Sequence, residues 1–259
     1  MISAATRPRI AWERHGEGPP LVLVHGLGYA RWGWEPVVDL LAADFDVVLF
    51  DNRGIGESEA PPGPYTVAEM TEDVVRVLDE AGLGRVHVLG TSLGGMIAQE
   101  LALTCPERVD RLVLSCTTPG GELAYPIPAG TMALVAEAAT LPPEVALRRF
   151  VENALAPGAP AELVERILAH RLASPQPPTA WQAQAAAGAA FAAGERVRGI
   201  AAPTLIVHGT VDAVIDVRNA DVLAGLIPGA RVELFDGCGH LVFWEQPERF
   251  VETVREFLL

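Results

Sequence analysis

Gly90-Thr91-Ser92-Leu93-Gly94-Gly95 follows the apolar run Val86-His87-Val88-Leu89 and precedes Met96-Ile97-Ala98-Gln99-Glu100-Leu101-Ala102. A buried strand runs into a serine set among glycines, and a helix starts at once. The spacing Gly90, Ser92, Gly94 has a physical reason. A strand that reverses into a helix within a few residues strains the backbone at the serine, and glycines on either side remove side chains that would collide across the turn. The hydroxyl is left exposed at the sheet edge. The helix N-terminus beside it offers free N–H groups where negative charge can develop. Serine is scarce, with five copies in 259 residues, yet one stands here.

Working outward, the first half of the chain alternates short β-rich runs with helical periodicity. Leu21-Val22-Leu23-Val24 reads as a strand, followed by the turn His25-Gly26-Leu27-Gly28, and Glu35 to Ala43 reads as a helix. Asp46 to Phe50 is the next strand, with Asp51-Asn52-Arg53-Gly54-Ile55-Gly56-Glu57-Ser58 as its loop. Thr66 to Ala81 is helical, with Val67, Met70, Val74, Val75 and Leu78 on one face. Arg111 to Cys116 is a further strand. Continuous apolar strands between amphipathic helices imply a mostly parallel sheet covered on both faces. Sites in such sheets gather at the carboxyl ends of the strands, where these glycine turns fall.

The rhythm breaks over 121–199. That stretch is rich in alanine and proline and reads as helices at Thr131–Ala139, Pro143–Leu155, Ala161–Leu172 and Thr179–Ala193. The sheet pattern resumes at Pro203-Thr204-Leu205-Ile206-Val207. A helix at Val217–Leu226, a strand at Arg231–Phe235 and a helix at Pro247–Leu259 follow. The expected division is a core of residues 1–120 and 200–259 with a helical cap subdomain, 121–199, over the strand ends. The cap holds seven glutamates and six arginines, so it is nearly neutral on a chain whose formal net charge is −14.

A serine nucleophile needs a general base, usually histidine. Of six histidines, His15 lies in an early hairpin-like segment, His87 is committed to a strand, and His170 sits on a charged cap helix. His25 and His208 each precede a glycine at a strand end and read as loop braces. His240, in Asp236-Gly237-Cys238-Gly239-His240, follows the last strand and shares the edge with Ser92. Asp212, in His208-Gly209-Thr210-Val211-Asp212, is the expected orienting acid; Asp216 and Asp236 are its rivals. The chain order Ser92, Asp212, His240 is the one expected for this type of site. Backbone N–H groups of Leu27 and Leu93 are the expected oxyanion donors. A histidine base makes activity fall below about pH 6.

Composition narrows the class. A surface this acidic disfavours nucleic acid and anionic membranes. No apolar run approaches the roughly 18 residues that span a bilayer. The opening MISAATRPRIAWERHGEG lacks an apolar signal core, so the expected location is cytoplasmic. The three cysteines follow no disulfide or metal-clamp spacing, and no metal site is expected.

The stretches LVLVHGLG, DNRGIGES, GTSLGGMIAQELAL, PTLIVHGTVD and GCGHLVFWEQPERF together resemble the α/β-hydrolase fold family, esterase and lactonase type, over essentially the whole chain. The chain is similar to 3-oxoadipate enol-lactonases and related carboxylesterases. The resemblance implies a capped serine hydrolase acting on a small ester or lactone, with no cofactor, as a monomer or homodimer. A serine at the elbow argues against epoxide-opening and dehalogenating relatives, which carry aspartate there. Carbon–carbon hydrolases of aromatic breakdown share triad and cap and stay as an alternative. A ligand-binding signalling protein on the same scaffold is the reading from another class. Trp34, Tyr125, Phe150, Trp181 and Leu241 are the candidate pocket residues. Arg148 and Arg149 are candidate anchors for an anionic substrate, but the acidic body favours a neutral one.

Overall fold

The computed structural model describes residues 7–259. Seven strands, β1 (Trp12–His15), β2 (Pro20–Val24), β3 (Asp46–Phe50), β4 (Val86–Thr91), β5 (Val109–Ser115), β6 (Thr204–Gly209) and β7 (Arg231–Phe235), form one sheet. Their order is β1-β3-β2-β4-β5-β6-β7. Only β1 runs antiparallel; it pairs with β3, Trp12 opposite Phe50. The expected hairpin around His15 is therefore absent: the first strand passes over β2 and pairs beyond it.

The inner strands are mostly apolar because both of their faces are covered, whereas the edge strands β1 and β7 are largely exposed. In β2, Val22 and Val24 join a cluster with Val48, Met70, Val74 and Ile97. Leu21 and Leu23 point the other way, into a cluster with Trp34, Phe45, Phe243 and Phe250. Side chains alternate across a strand, so a strand buried on both sides favours apolar residues at successive positions. The first cluster is closed by α2 (Val67–Glu80), α3 (Leu93–Thr104) and α8 (Arg218–Leu226); the second by α1 (Val38–Ala42), α9 (Val242–Glu245) and α10 (Pro247–Leu258).

Helix α2 shows how local sequence sets an element. The Thr66 side chain accepts from the Glu69 N–H, and the Glu69 carboxylate accepts from the Thr66 N–H. This capping box satisfies two donors the helix cannot. Its buried face includes Val77, while Val75 is only partly covered. The expected helix from Glu35 to Ala43 is shorter: a 3₁₀ turn, Arg31–Trp34, precedes α1.

Between β5 and β6 lie α4 (Ala129–Ala138), α5 (Pro143–Ala154), α6 (Ala161–Ala173) and α7 (Pro178–Ala190), with no named strand among them. They touch the loops that follow several strands. Gln184 of α7 donates to the Arg53 carbonyl after β3 at 2.7 Å. The His240 N–H, after β7, donates to the Ala154 carbonyl of α5 at 2.9 Å. His170 of α6 stacks on Trp32, ring centroids 5.0 Å apart. The helical segment thus lies against the carboxyl ends of the parallel strands.

Close backbone approach between β2, β4 and α3 depends on glycine. A Cβ on Gly90 would collide with the Gly94 carbonyl, and one on Gly94 with the Val24 carbonyl. Gly225, on the exposed side of α8, has open space around it. Gly94→Ala should therefore cost about 1–3 kcal/mol or more, as an overpacked core does. Gly225→Ala should stabilise by up to about 1 kcal/mol, because alanine loses less backbone freedom in a helix. Urea midpoints for the two variants, opposite in sign at unchanged slope, check this.

Candidate active site

Ser92 is the N-cap of α3, at φ 56° and ψ −121°. A non-glycine residue there is held by its surroundings, not by its own preference. Its N–H donates to the Ser115 carbonyl at 2.9 Å. Its carbonyl accepts from the N–H groups of Gly95 and Met96 and from the Thr117 hydroxyl at 2.7 Å. The side chain is partly accessible. Gly26 abuts it: a Cβ there would sit 2.9 Å from the Ser92 Cβ. Cys116, at the next strand end, is the other described non-glycine residue with positive φ, 46°.

Asp212 and His240 come from the loops after β6 and β7, which lie so close that a Cβ on Gly209 would strike the Gly239 carbonyl. His240 Nδ1 is 2.8 Å from Asp212 Oδ2, and both side chains are buried. The other carboxylate oxygen, Oδ1, accepts the N–H groups of Val214 at 2.8 Å and Ile215 at 3.0 Å. Burial pushes the Asp212 carboxyl up, but the charge of His240 and the donors of His208 and His240 outweigh it. They hold the group below the usual carboxylate range. The rivals lie elsewhere. Asp216 is tied to Arg218 at the start of α8, and Asp236 accepts from the Thr210 hydroxyl at 3.2 Å.

His240 is fixed from both sides. Glu245 of α9 accepts the Gly239 N–H at 2.8 Å and the Ala156 N–H at 3.1 Å. One carboxylate thus ties the His240 loop to the helical segment. Burial raises the Glu245 pKa, against the two N–H donors.

On the turn after β2, His25 Nδ1 accepts the Gly26 N–H at 2.7 Å, and its ring stacks on Tyr29, centroids 4.7 Å apart. The brace expected of His25 is present. Among the described residues the Leu27 N–H donates to no protein group. The Leu93 N–H, at the first position of α3, has no carbonyl one turn earlier within the helix. Leu93 follows Ser92 directly, and Leu27 follows Gly26, the residue that abuts it.

The five candidate pocket residues fare unevenly. Trp34 is fully buried, packed on His25 and Phe243 with ring centroids 4.8 Å away in each case. It lines no surface, because a tryptophan here fills the core behind the turn. Leu241 is buried in the same cluster. The Tyr125 ring lies under the Arg218 guanidinium at 4.0 Å. Phe150 and Trp181 do face each other across α5 and α7, centroids 6.2 Å apart. Arg148 pairs with Glu165 and Arg149 with Glu137, so neither is a spare cation.

Sequence reasoning missed Arg171. From α6 its guanidinium lies 5.0 Å over the Tyr29 ring, and a Cβ on Gly28 would strike it. No described carboxylate pairs with it. Gly188 of α7 was also missed; it sits above Leu93 and Met96 without a side chain of its own. A surface hollow of about 580 Å³ between Leu163, Arg166, Cys238 and Trp244 includes none of Ser92, Asp212 and His240. Cys116, Asp212 and His240 have potential ligand atoms within 4.8 Å of one another. Burial and the charge of Asp212 push the Cys116 thiol up, so it stays protonated and is a poor metal ligand. No described helix is long and apolar enough to cross a membrane.

Residues 19–247 match the family model described as alpha/beta hydrolase fold. The chain is 32% identical to the 2-hydroxy-6-oxononadienedioate/2-hydroxy-6-oxononatrienedioate hydrolase of Cupriavidus pinatubonensis, covering 92% of this chain and 86% of that protein. An esterase from Rhodococcus superposes with a TM-score of 0.85 at 31% identity, over 96% of this chain and 94% of its own. The enol-lactonase from Burkholderia xenovorans gives 0.84 at 27%, over 97% and 96%.

Burial lowers the His25 pKa from 6.5 to about 3. The unfolded chain binds that proton more readily, so His25 contributes stability in full above pH 6.5 and loses it as pH falls toward 3. The urea midpoint should drop over that window. His25→Gln, with no titrating ring, should show a shallower drop in parallel unfolding titrations.

Proposed function

The chain belongs to the α/β-hydrolase family, and on that premise we propose that it is a serine hydrolase cleaving a small carboxylic ester or lactone through an acyl-enzyme on Ser92. One observation carries the reading. A strained, accessible serine at a helix N-terminus shares the strand ends with a buried Asp212–His240 pair 2.8 Å apart. In this reading Ser92 attacks the carbonyl and His240 takes its proton. Asp212 keeps the imidazole in the tautomer with Nδ1–H and stabilises the cation that forms. The Leu27 and Leu93 N–H groups receive the oxyanion. Water, activated by His240, then releases the acid. Residues 121–199 act as a cap, because their helices lie over the loops that carry all these groups.

The similarity to an esterase and an enol-lactonase supports ester or lactone cleavage. The similarity to a dienedioate hydrolase keeps carbon–carbon cleavage as a second reading with the same residues. Arg171 bears on the substrate. It is a half-buried cation beside the turn of Leu27, without a carboxylate partner. It moves the preference from a neutral substrate toward one with an acid group, against the repulsion of the acidic body.

Rapid mixing with p-nitrophenyl acetate, butyrate and octanoate tests the mechanism. Wild type should give a stoichiometric burst or fast turnover. Ser92→Ala should lose at least about a thousandfold in kcat, the scale of losing a triad nucleophile. Equal turnover by the variant would overturn the assignment. Arg171→Met should raise KM about tenfold or more for a hemisuccinate ester, the value of one charge-assisted contact, and leave the acetate unchanged.

A further inference from the structure

His208 reads in sequence as a loop brace, and it does meet the Ile215 carbonyl, at 3.1 Å. The same nitrogen, Nε2, lies 3.1 Å from Asp212 Oδ2, and both side chains are wholly buried. Oδ2 therefore faces two imidazoles, His240 Nδ1 at 2.8 Å and His208 Nε2 at 3.1 Å. Both neighbours of His208 Nε2 are acceptors, so that nitrogen carries the proton. The other ring nitrogen, Nδ1, is buried without a partner. A second proton there would be a buried donor with no acceptor.

We propose that His208 is a positioning residue for the hydrolytic step: it holds Oδ2 of Asp212 with a neutral N–H, fixing the oxygen that orients His240 and drawing charge from it. The inference rests on the reading of Asp212 and His240 given above. With Val214 and Ile215 on Oδ1 and His240 on Oδ2, His208 would bring a fourth donor to one carboxylate. Asp212 then has no freedom to turn away from His240. Its charge is also shared between two imidazoles, so it stabilises protonated His240 less than it would alone.

Other titratable groups face the pair. Cys116 approaches from the end of β5, and Asp216, bound to Arg218, from the start of α8. Glu245 stands on α9, and His25 on the turn after β2. Replacing His208 leaves each of them in place.

The test has two parts. In ¹⁵N-labelled wild type, imidazole correlation spectra should show the His208 proton on Nε2, with Nδ1 unprotonated. A proton on Nδ1 would overturn the proposal, whether or not any variant folds. Next, His208→Leu and His208→Gln are compared with wild type. Removing the donor in His208→Leu concentrates charge on Oδ2. The acidic limb of the kcat/KM profile should move up by roughly half to one pH unit. The downfield proton between His240 and Asp212 should shift, and kcat should fall with KM held. His208→Gln keeps an N–H donor and should restore the limb and the resonance toward wild type. If the limb and the resonance of folded His208→Leu both match wild type, His208 is only a brace and the proposal fails. The proton spectrum needs no turnover. A wild type without hydrolase activity would sink the proposed function and leave the spectroscopic test of His208 standing.

Discussion

Everything at the candidate site depends on how closely β4, α3 and the end of β2 approach one another. Backbone meets backbone there with no side chain between, which glycine at 90 and 94 permits. The reversal from strand to helix happens at a single residue, and that residue takes a left-handed backbone. Strain of this kind persists only when neighbours over-determine it. Three donors on the Ser92 carbonyl and one acceptor for its N–H supply that restraint. The hydroxyl is thus presented by the framework with little freedom of its own.

The second half of the site is built by a different device. Asp212 and His240 arrive on loops, which are mobile unless tied. Here the ties are polar and buried. Asp212 is held by two backbone N–H groups and His240, with His208 Nε2 close by, and the His240 loop is bound to Ala154 of α5 directly and to Ala156 through Glu245. A rigid backbone turn therefore faces a hydrogen-bonded pair, and the two are held by unrelated interactions.

Much of this was legible in the chain. Strands such as Leu21–Val24 announce burial on both faces by their unbroken apolar run, and Gly90, Ser92 and Gly94 announce the turn by spacing alone. Asp212 could be preferred to Asp216 and Asp236 from its place after β6, and it is the acid beside His240. The β1 pairing was not legible, because four residues of strand carry no address for a partner. Trp34 was misjudged because a tryptophan beside a turn looks the same in sequence whether it faces a cavity or fills the core. Arg171 and His208 were undervalued for a related reason. A lone arginine on a helix resembles its solvated neighbours, and a histidine before glycine resembles a brace. Only three-dimensional proximity shows that one lacks a carboxylate and the other meets Asp212.

The hydrogen bond from His240 N–H to the Ala154 carbonyl sets a limit on how this architecture can be recombined. The helices between β5 and β6 look like an exchangeable module, since they form one continuous run between two strands of the sheet. Yet the end of α5 and the residues just after it, Ala154 and Ala156, are part of the frame that holds the histidine. A chimaera that swaps the whole segment would import a foreign anchor for its own base. The natural seams for exchange lie on either side of that turn, so the module is best treated as two pieces, with residues near 154–156 kept as part of the core.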